Sequence, residues 1–106
     1  MLNQLILVGR LTKDIEIEKI DDDKEMAILN LAIPRNFKNT NGEYDTDYVQ
    51  VCAFNGIATN VAEYCQKGDL IGIKGRIESG NDKTIRIVAE KVTFLSSNKN
   101  LNKEEN

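Results

Sequence analysis

The chain has no histidine, no tryptophan and only two cysteines among its 106 residues. Without histidine it lacks the commonest general base and metal ligand, and every Ser/His or Cys/His nucleophile arrangement is excluded. Cys52 and Cys65 are too few for a disulfide framework, and their apolar surroundings predict buried, reduced thiols. These absences exclude histidine-dependent catalysis and predict a cytoplasmic protein.

Long apolar runs are also missing, since no stretch approaches the roughly 18 apolar residues of a membrane span. Charged residues lie within or beside the apolar run near the N-terminus, so we expect no signal peptide. A chain of this length forms one domain and has little room for a large ligand cavity besides its core. The segment GRIESG lacks the Lys-Ser/Thr of a phosphate loop, and Asp21–Asp23 lacks the glycine and glutamate of a calcium loop. We therefore expect no enzymatic activity, no metal and no cofactor.

The net charge of −3 is unevenly distributed along the chain. Residues 13–25 carry seven acidic and three basic side chains, whereas the rest of the chain has eleven bases and ten acids. Outside the acidic segment, bases lie near aromatics, as Arg35 and Lys38 do on either side of Phe37. The overall acidity therefore does not exclude a nucleic-acid partner.

Apolar alternation predicts three strands, one short helix and two further strands. The predicted strands are residues 3–11 (continuing into a polar hairpin near 15–20), 26–33 (stopping at Pro34), 47–54, 69–78 and 84–95. The predicted helix covers residues 57–66, with Asn55 as N-cap and Gly68 as C-cap. With glycines at Gly9, Gly72 and Gly75 for tight coiling, this order indicates an all-β, five-stranded OB-fold barrel with one helix between strands three and four. An SH3-like barrel has no place for that helix.

The third strand carries the features most relevant to function. Val49, Val51 and Ala53 share one face, and Tyr48 and Phe54 lie on the other. Aromatic side chains on the solvent side of a barrel strand, next to basic side chains, are suited to stacking on the nucleobases of a single nucleic-acid strand. Two alternatives stay open: Tyr48 and Phe54 cover the helix or a subunit interface, and Phe37 anchors a loop.

Several segments in this order resemble the bacterial-type single-stranded DNA-binding protein family. They are MLNQLILVGRLTKDIEI, LAIPRNF, the long stretch NGEYDTDYVQVCAFNGIATNVAEYCQKGDLIGIKGRI, and IVAEKVTFL. The resemblance covers residues 1–95 and implies an OB-fold domain there. From Ser96 on apolar residues nearly vanish, so we expect residues 96–106 to form a disordered polar tail. It also implies a homo-oligomer, usually a tetramer, in which single-stranded DNA wraps over aromatic and basic side chains of the protein.

Carried over by position, the resemblance assigns DNA-binding roles to three aromatics and six bases. Phe37 takes the aromatic after strand two, Tyr48 the aromatic that opens strand three, and Phe54 the aromatic six residues later. The basic assignments are Arg35, Lys38, Lys67, Arg10, Arg76 and Arg86.

The chain departs from the family pattern at two places. The turn SGNDK is short where relatives often have a long loop that touches DNA, and the tail lacks the acidic, aromatic tip that recruits replication and repair proteins. These departures indicate a short or tail-truncated member from a low-GC bacterium, a phage or a plasmid, without tail-mediated contacts. Two functions follow: sequence-independent binding and protection of single-stranded DNA in replication, recombination or repair, or a primosome or adaptor subunit that acts through protein contacts.

Overall fold

Six strands and one helix make up the computed structural model, which describes residues 1–97. The elements are β1 (Leu5–Leu11), β2 (Ile17–Asp21), β3 (Lys24–Lys38), β4 (Tyr44–Phe54), α1 (Asn55–Tyr64), β5 (Leu70–Ser79) and β6 (Ile85–Ser96). The expected OB-fold barrel, with its single helix after the third barrel strand, is confirmed. Within residues 1–97, no helix combines the length and the apolar character needed to cross a membrane.

Five of the strands close into a barrel. The sheet runs in the order β1-β5-β6-β4-β3, and a short β1–β3 ladder joins its two ends. That ladder pairs Arg10 with Ala32 and Leu11 with Leu31. β2 pairs with β3 alone, as the outer half of a hairpin. Closure gives each barrel strand one inner and one outer side, so alternating residues face either the core or the outside.

Aliphatic side chains from every barrel strand fill the interior, and α1 covers one part of it. Leu29, Val51 and Ile71 are fully buried at the centre, and Ala58 and Val61 are the buried residues of the helix. The core is therefore small and lacks aromatics among its buried members, which are Leu11, Ala27, Leu29, Leu31, Val51, Ala53, Ala58, Val61, Cys65, Ile71, Ile73 and Ala89. The aromatic side chains are left for the surface.

Close backbone approach explains two of the predicted barrel glycines. A Cβ on Gly9 would lie 2.8 Å from the carbonyl oxygen of Ala32, at the ladder that closes the barrel. A Cβ on Gly75 would overlap the carbonyl oxygen of Val88 on β6. These strands bend against their neighbours at points where a side chain does not fit.

The predicted end of strand two and the predicted start of strand three are wrong. β3 does not stop at Pro34 but continues to Lys38, and β4 begins at Tyr44 rather than Asp47. Pro34 lies opposite Thr46, and the register is irregular between Pro34 and Lys38. The ladder thus tolerates a residue without an N–H at an irregularity, and Phe37 belongs to the end of a strand instead of a loop.

The helix begins and ends two residues earlier than predicted. Its N-cap is Phe54, which makes no side-chain capping bond, and its C-cap is Cys65. The side chain of Asn55 instead accepts a hydrogen bond from the Glu25 N–H at 3.0 Å, which ties α1 to β3. Gly68 has a φ of 92° in the turn after the helix, and its N–H donates to the Leu11 carbonyl at 2.8 Å.

Two further expectations meet the structure only in part. Cys65 is buried, and burial raises the pKa of its thiol, but Cys52 is only half-buried on the outer side of β4. Ser96, placed in the expected tail, is the last residue of β6 and pairs with Leu70. Residues 98–106 of that tail lie outside the described residues.

Replacing Gly75 with alanine tests the close approach of β5 and β6. The added methyl must displace the Val88 carbonyl, so Gly75→Ala is expected to lower the free energy of unfolding by about 1 to 3 kcal/mol in urea denaturation. Gly56→Ala is the matched control, because a Cβ there meets nothing within 4 Å and the site is helical. The control should raise stability by about 0.5 to 1 kcal/mol. Equal stability of both variants would contradict the packing described here.

Candidate nucleic-acid interface

The alternation predicted for β4 is present in the structure. Val51 and Ala53 are fully buried, whereas Tyr48 is 77% exposed. Tyr48 therefore does not cover the helix within this chain. Phe54 is half-buried on the same side of the strand as Tyr48.

Directly opposed residues of β3 complete a surface that we call the outer face. In an antiparallel pair, opposed side chains lie on the same side of the sheet. The outer face therefore consists of four pairs, namely Met26 with Phe54, Ile28 with Cys52, Asn30 with Gln50, and Ala32 with Tyr48. Gln50 Nε2 donates to Asn30 Oδ1 at 3.2 Å across the two strands. Two aromatics roughly 20 Å apart along β4 are thus separated by mostly small or unbranched side chains.

The β3–β4 ribbon extends beyond Tyr48 and carries two more exposed rings. Phe37 is 63% exposed and Tyr44 is 59% exposed. Lys38 Nζ lies 5.8 Å from the centre of the Tyr44 ring, and Arg35 Cζ lies 6.0 Å from that of Phe37. Each ring at this end has a cation beside it, at the outer limit for a cation–π contact.

Tyr44 was missed from the sequence, although a signal for it existed. It lies an even number of residues before Tyr48, so period-two alternation places both on one side of the strand. The prediction failed because strand three was started at Asp47, three residues after Tyr44.

Two cations flank Phe54 at the other end of the outer face. Lys24 Nζ lies 4.8 Å and Arg86 Cζ 5.3 Å from the centre of the ring. Lys24 is the first residue of β3, and Arg86 lies on β6. Only Arg86 was predicted for the site. No sequence pattern predicted that Lys24 lies beside Phe54, because this proximity depends on the strand register that pairs Met26 with Phe54.

Most of the predicted arginines are already paired with carboxylates. Arg35 Nη2 donates to Asp47 Oδ1 at 2.9 Å, and Asp45 lies 3.7 Å away. The hydrogen bond from Arg35 holds the pKa of Asp47 below its usual range. Arg76 and Arg86 both donate to Glu78. The cations of this region therefore carry less free positive charge than their number suggests.

Arg10 and Lys67 lie away from Phe54. Arg10 Nη1 donates to the Gly68 carbonyl at 3.0 Å, and the residue lines a groove between β1 and β3 together with Tyr48. Lys67 lies in the turn after α1, where its backbone N–H donates to Asp14 Oδ1 at 2.8 Å. The structure thus brings Arg10 to the Tyr48 end of the outer face but leaves Lys67 on a neighbouring turn.

Acidic residues border the opposite side of the outer face. Asp14, Glu16 and Glu18 line a groove with Met26 and Ile28 of β3, and Lys13 is the one base in this lining. A polyanion lying on the outer face meets repulsion along this border and attraction from the cations at its two ends. The outer face is therefore uneven in charge, with carboxylates along one border and cations near its two ends.

Comparison with known proteins identifies the family. Residues 2–95 match the model of the Single-strand binding protein family. The chain belongs to this family. It is 46% identical over 103 residues to Single-stranded DNA-binding protein B of Bacillus subtilis, covering 90% of this chain and 91% of that protein. It is 41% identical over 108 residues to Single-stranded DNA-binding protein 3 of Listeria innocua, with coverage of 94% and 68%.

A solved structure shows the same architecture. Wild-type single-stranded DNA binding protein from Thermus aquaticus superposes with a TM-score of 0.76 at 25% sequence identity, over 92% of this chain. The present chain spans about half the length of that protein, 52%. The resemblance to the single-strand binding family that the sequence motifs indicated is confirmed, and so is its OB-fold.

Stability measurements test the division of β4 into a buried and an exposed side. Tyr48→Ala removes an exposed ring, so we expect the free energy of unfolding to change by less than about 0.5 kcal/mol. Val51→Ala removes two methyl groups from the centre of the core and should cost roughly 2 kcal/mol. Both values come from urea denaturation followed by circular dichroism. A larger loss for Tyr48→Ala than for Val51→Ala would contradict the assignment of the two sides.

Proposed function

We propose that the chain binds single-stranded DNA without sequence preference and coats it without chemical turnover. The observation that carries the proposal is the exposure of Tyr48 on the outer side of a barrel strand whose inner side supplies the core. An exposed ring of this kind provides a stacking surface that every base can use. The family membership and the names of the relatives agree with this function.

In this proposal the bases stack on rings along the β3–β4 ribbon. Phe37 and Tyr48 contact one part of the strand, and Phe54 contacts another part near β6. Asn30, Ala32 and Cys52 between the rings are short, so the strand can lie close to the sheet. Stacking contributes about 1 to 3 kcal/mol per base and does not depend on base identity.

Basic side chains neutralise the DNA backbone in the proposed complex. Lys38 and Lys67 are exposed, and Arg35, Arg76 and Arg86 reach phosphates by exchanging their carboxylate partners. Arg10 acts at the groove beside Tyr48. Lys24 joins this set because it lies beside Phe54. Such coating serves replication, recombination or repair, and its place is the bacterial cytoplasm, where single strands of DNA arise.

Binding to oligo-dT and to duplex DNA at several salt concentrations tests the function. We expect tighter binding to oligo-dT of about 35 nucleotides than to a duplex of equal length, because paired bases do not offer their faces. Log affinity should fall with log salt concentration by about 0.7 per neutralised phosphate. Equal affinity for duplex would overturn the proposal and favour an adaptor that acts through protein contacts.

Alanine variants separate stacking from charge. Phe37→Ala, Tyr48→Ala and Phe54→Ala should each weaken oligo-dT binding by about 1 to 3 kcal/mol and leave the salt slope unchanged, because no phosphate contact is lost. Lys38→Ala should lower the salt slope instead. Fluorescence titration of labelled oligo-dT gives both quantities. A ring whose removal leaves affinity unchanged is not part of the binding surface.

The outer side of β1 supports a homo-oligomer, which we propose as the assembled form. Ile6 is 70% exposed and Val8 48% exposed, and Leu95 of β6 adds a third exposed side chain beside Gly72. The β1 edge opposite β5 pairs with β3 only at Arg10 and Leu11. An exposed apolar strip next to a largely unpaired strand edge suits contact with a second copy of the chain. The resemblance implies four copies.

Light scattering tests the assembly. The wild-type chain should exceed the monomer mass at micromolar concentration, and Val8→Glu should shift it towards the monomer, because a buried unpaired charge opposes association. Ile85→Glu is the matched control: Ile85 is 68% exposed and lies at the far end of β6 from Leu95. A monomeric wild type would contradict the proposed oligomer.

A further inference from the structure

Glu78 lies between Arg76 and Arg86, two arginines that contact DNA phosphates in the proposed function. Its Oε1 accepts hydrogen bonds from Arg86 Nε at 3.1 Å and Nη2 at 2.9 Å, and Arg76 donates to its Oε2. Glu78 and Arg86 are directly opposed on β5 and β6. Arg76 lies two residues before Glu78, on the same side of β5.

This arrangement resembles the way in which arginines hold a phosphate. Two guanidinium groups converge on one anion, and Arg86 uses two N–H groups on a single oxygen. Arg76 also has a second, more distant carboxylate beside it, that of Glu90 at 3.8 Å. A phosphodiester offers the same type of charged acceptor oxygens as a carboxylate. Because Arg86 also lies 5.3 Å from the centre of the Phe54 ring, the carboxylate occupies the cations at the Phe54 end of the outer face.

We propose that Glu78 is an internal competitor of DNA, whose carboxylate occupies the phosphate-binding groups of Arg76 and Arg86 until the backbone displaces it. The proposal rests on the proposed binding of single-stranded DNA. Each chain then binds DNA more weakly, and with a smaller salt dependence, than its arginine content would allow. Glu78 sets the affinity of the Phe54 end of the outer face without contacting a base.

The opposite role, in which Glu78 positions Arg86 for DNA, fits the contacts less well. Arg86 has a second contact besides Glu78, since its Cζ lies 5.3 Å from the centre of the Phe54 ring, and the β5–β6 ladder fixes its backbone. The side chains of Glu78 and Arg86 are 31% and 51% exposed. Ion pairs exposed to this degree contribute little and exchange partners readily, so a phosphate has access to the guanidinium groups.

Glu78→Gln is the direct test, with labelled oligo-dT titrated at four salt concentrations. Competition predicts about 3- to 10-fold tighter binding and a salt slope steeper by about 0.7 to 1.4, equivalent to one or two more neutralised phosphates. Glu63→Gln is the matched control, since it removes the same charge near the far end of α1 from Phe54. The control should change affinity less than 2-fold and leave the slope unaltered. Circular dichroism and thermal melting verify that each variant folds.

A double-mutant cycle distinguishes competition from a general effect of charge. In a background with Arg76→Ala and Arg86→Ala, Glu78→Gln should no longer tighten binding, because there is no guanidinium left to release. An equal gain in that background or in the control, or weaker binding by Glu78→Gln alone, overturns the proposal while the proposed function stands. Absence of oligo-dT binding by the wild type and by Glu78→Gln alike overturns both.

Discussion

Closure of the sheet at the β1–β3 ladder is the constraint on which the rest of the molecule depends. Two residue pairs join the ends of the sheet, and Gly9 lies beside them because no side chain fits against the Ala32 carbonyl. Leu11 and Leu31 meet at this junction and are both buried. Without it the core would be open along one side, since a single small sheet has no second layer except one ten-residue helix.

A closed barrel of this size assigns the aromatic side chains to its surface. The interior is filled by aliphatic residues and Cys65, so the rings of β3 and β4 project outward. An exposed ring contributes little to the free energy of folding. The free energy of burying its surface is instead released when a ligand covers the ring. The scaffold and the candidate interface are therefore two sides of the same strands.

The net charge of −3 does not describe the charge distribution on the outer face, which depends on local ion pairs. The acidic segment before β3 borders one side of the outer face, and carboxylates at Asp47 and Glu78 pair with arginines at its two ends. Lys24 lies within the acidic segment by sequence, yet its amine lies beside the Phe54 ring. Local pairing, rather than total charge, thus governs what a polyanion meets on this surface.

The sequence by itself determined the fold class, the order of strands and helix along the chain and the outward placement of Tyr48, because period-two alternation and glycine punctuation are local properties of the chain. Family membership was also evident, since the motifs cover nearly the whole barrel. Only the tertiary structure decided the length of β3 beyond Pro34, the pairing of Arg35 with Asp47 and of Glu78 with two arginines, and the placement of Lys24 and Arg86 around Phe54. These contacts depend on the register between strands. Register is set by core packing and barrel closure across residues distant in sequence, so no local pattern encodes it.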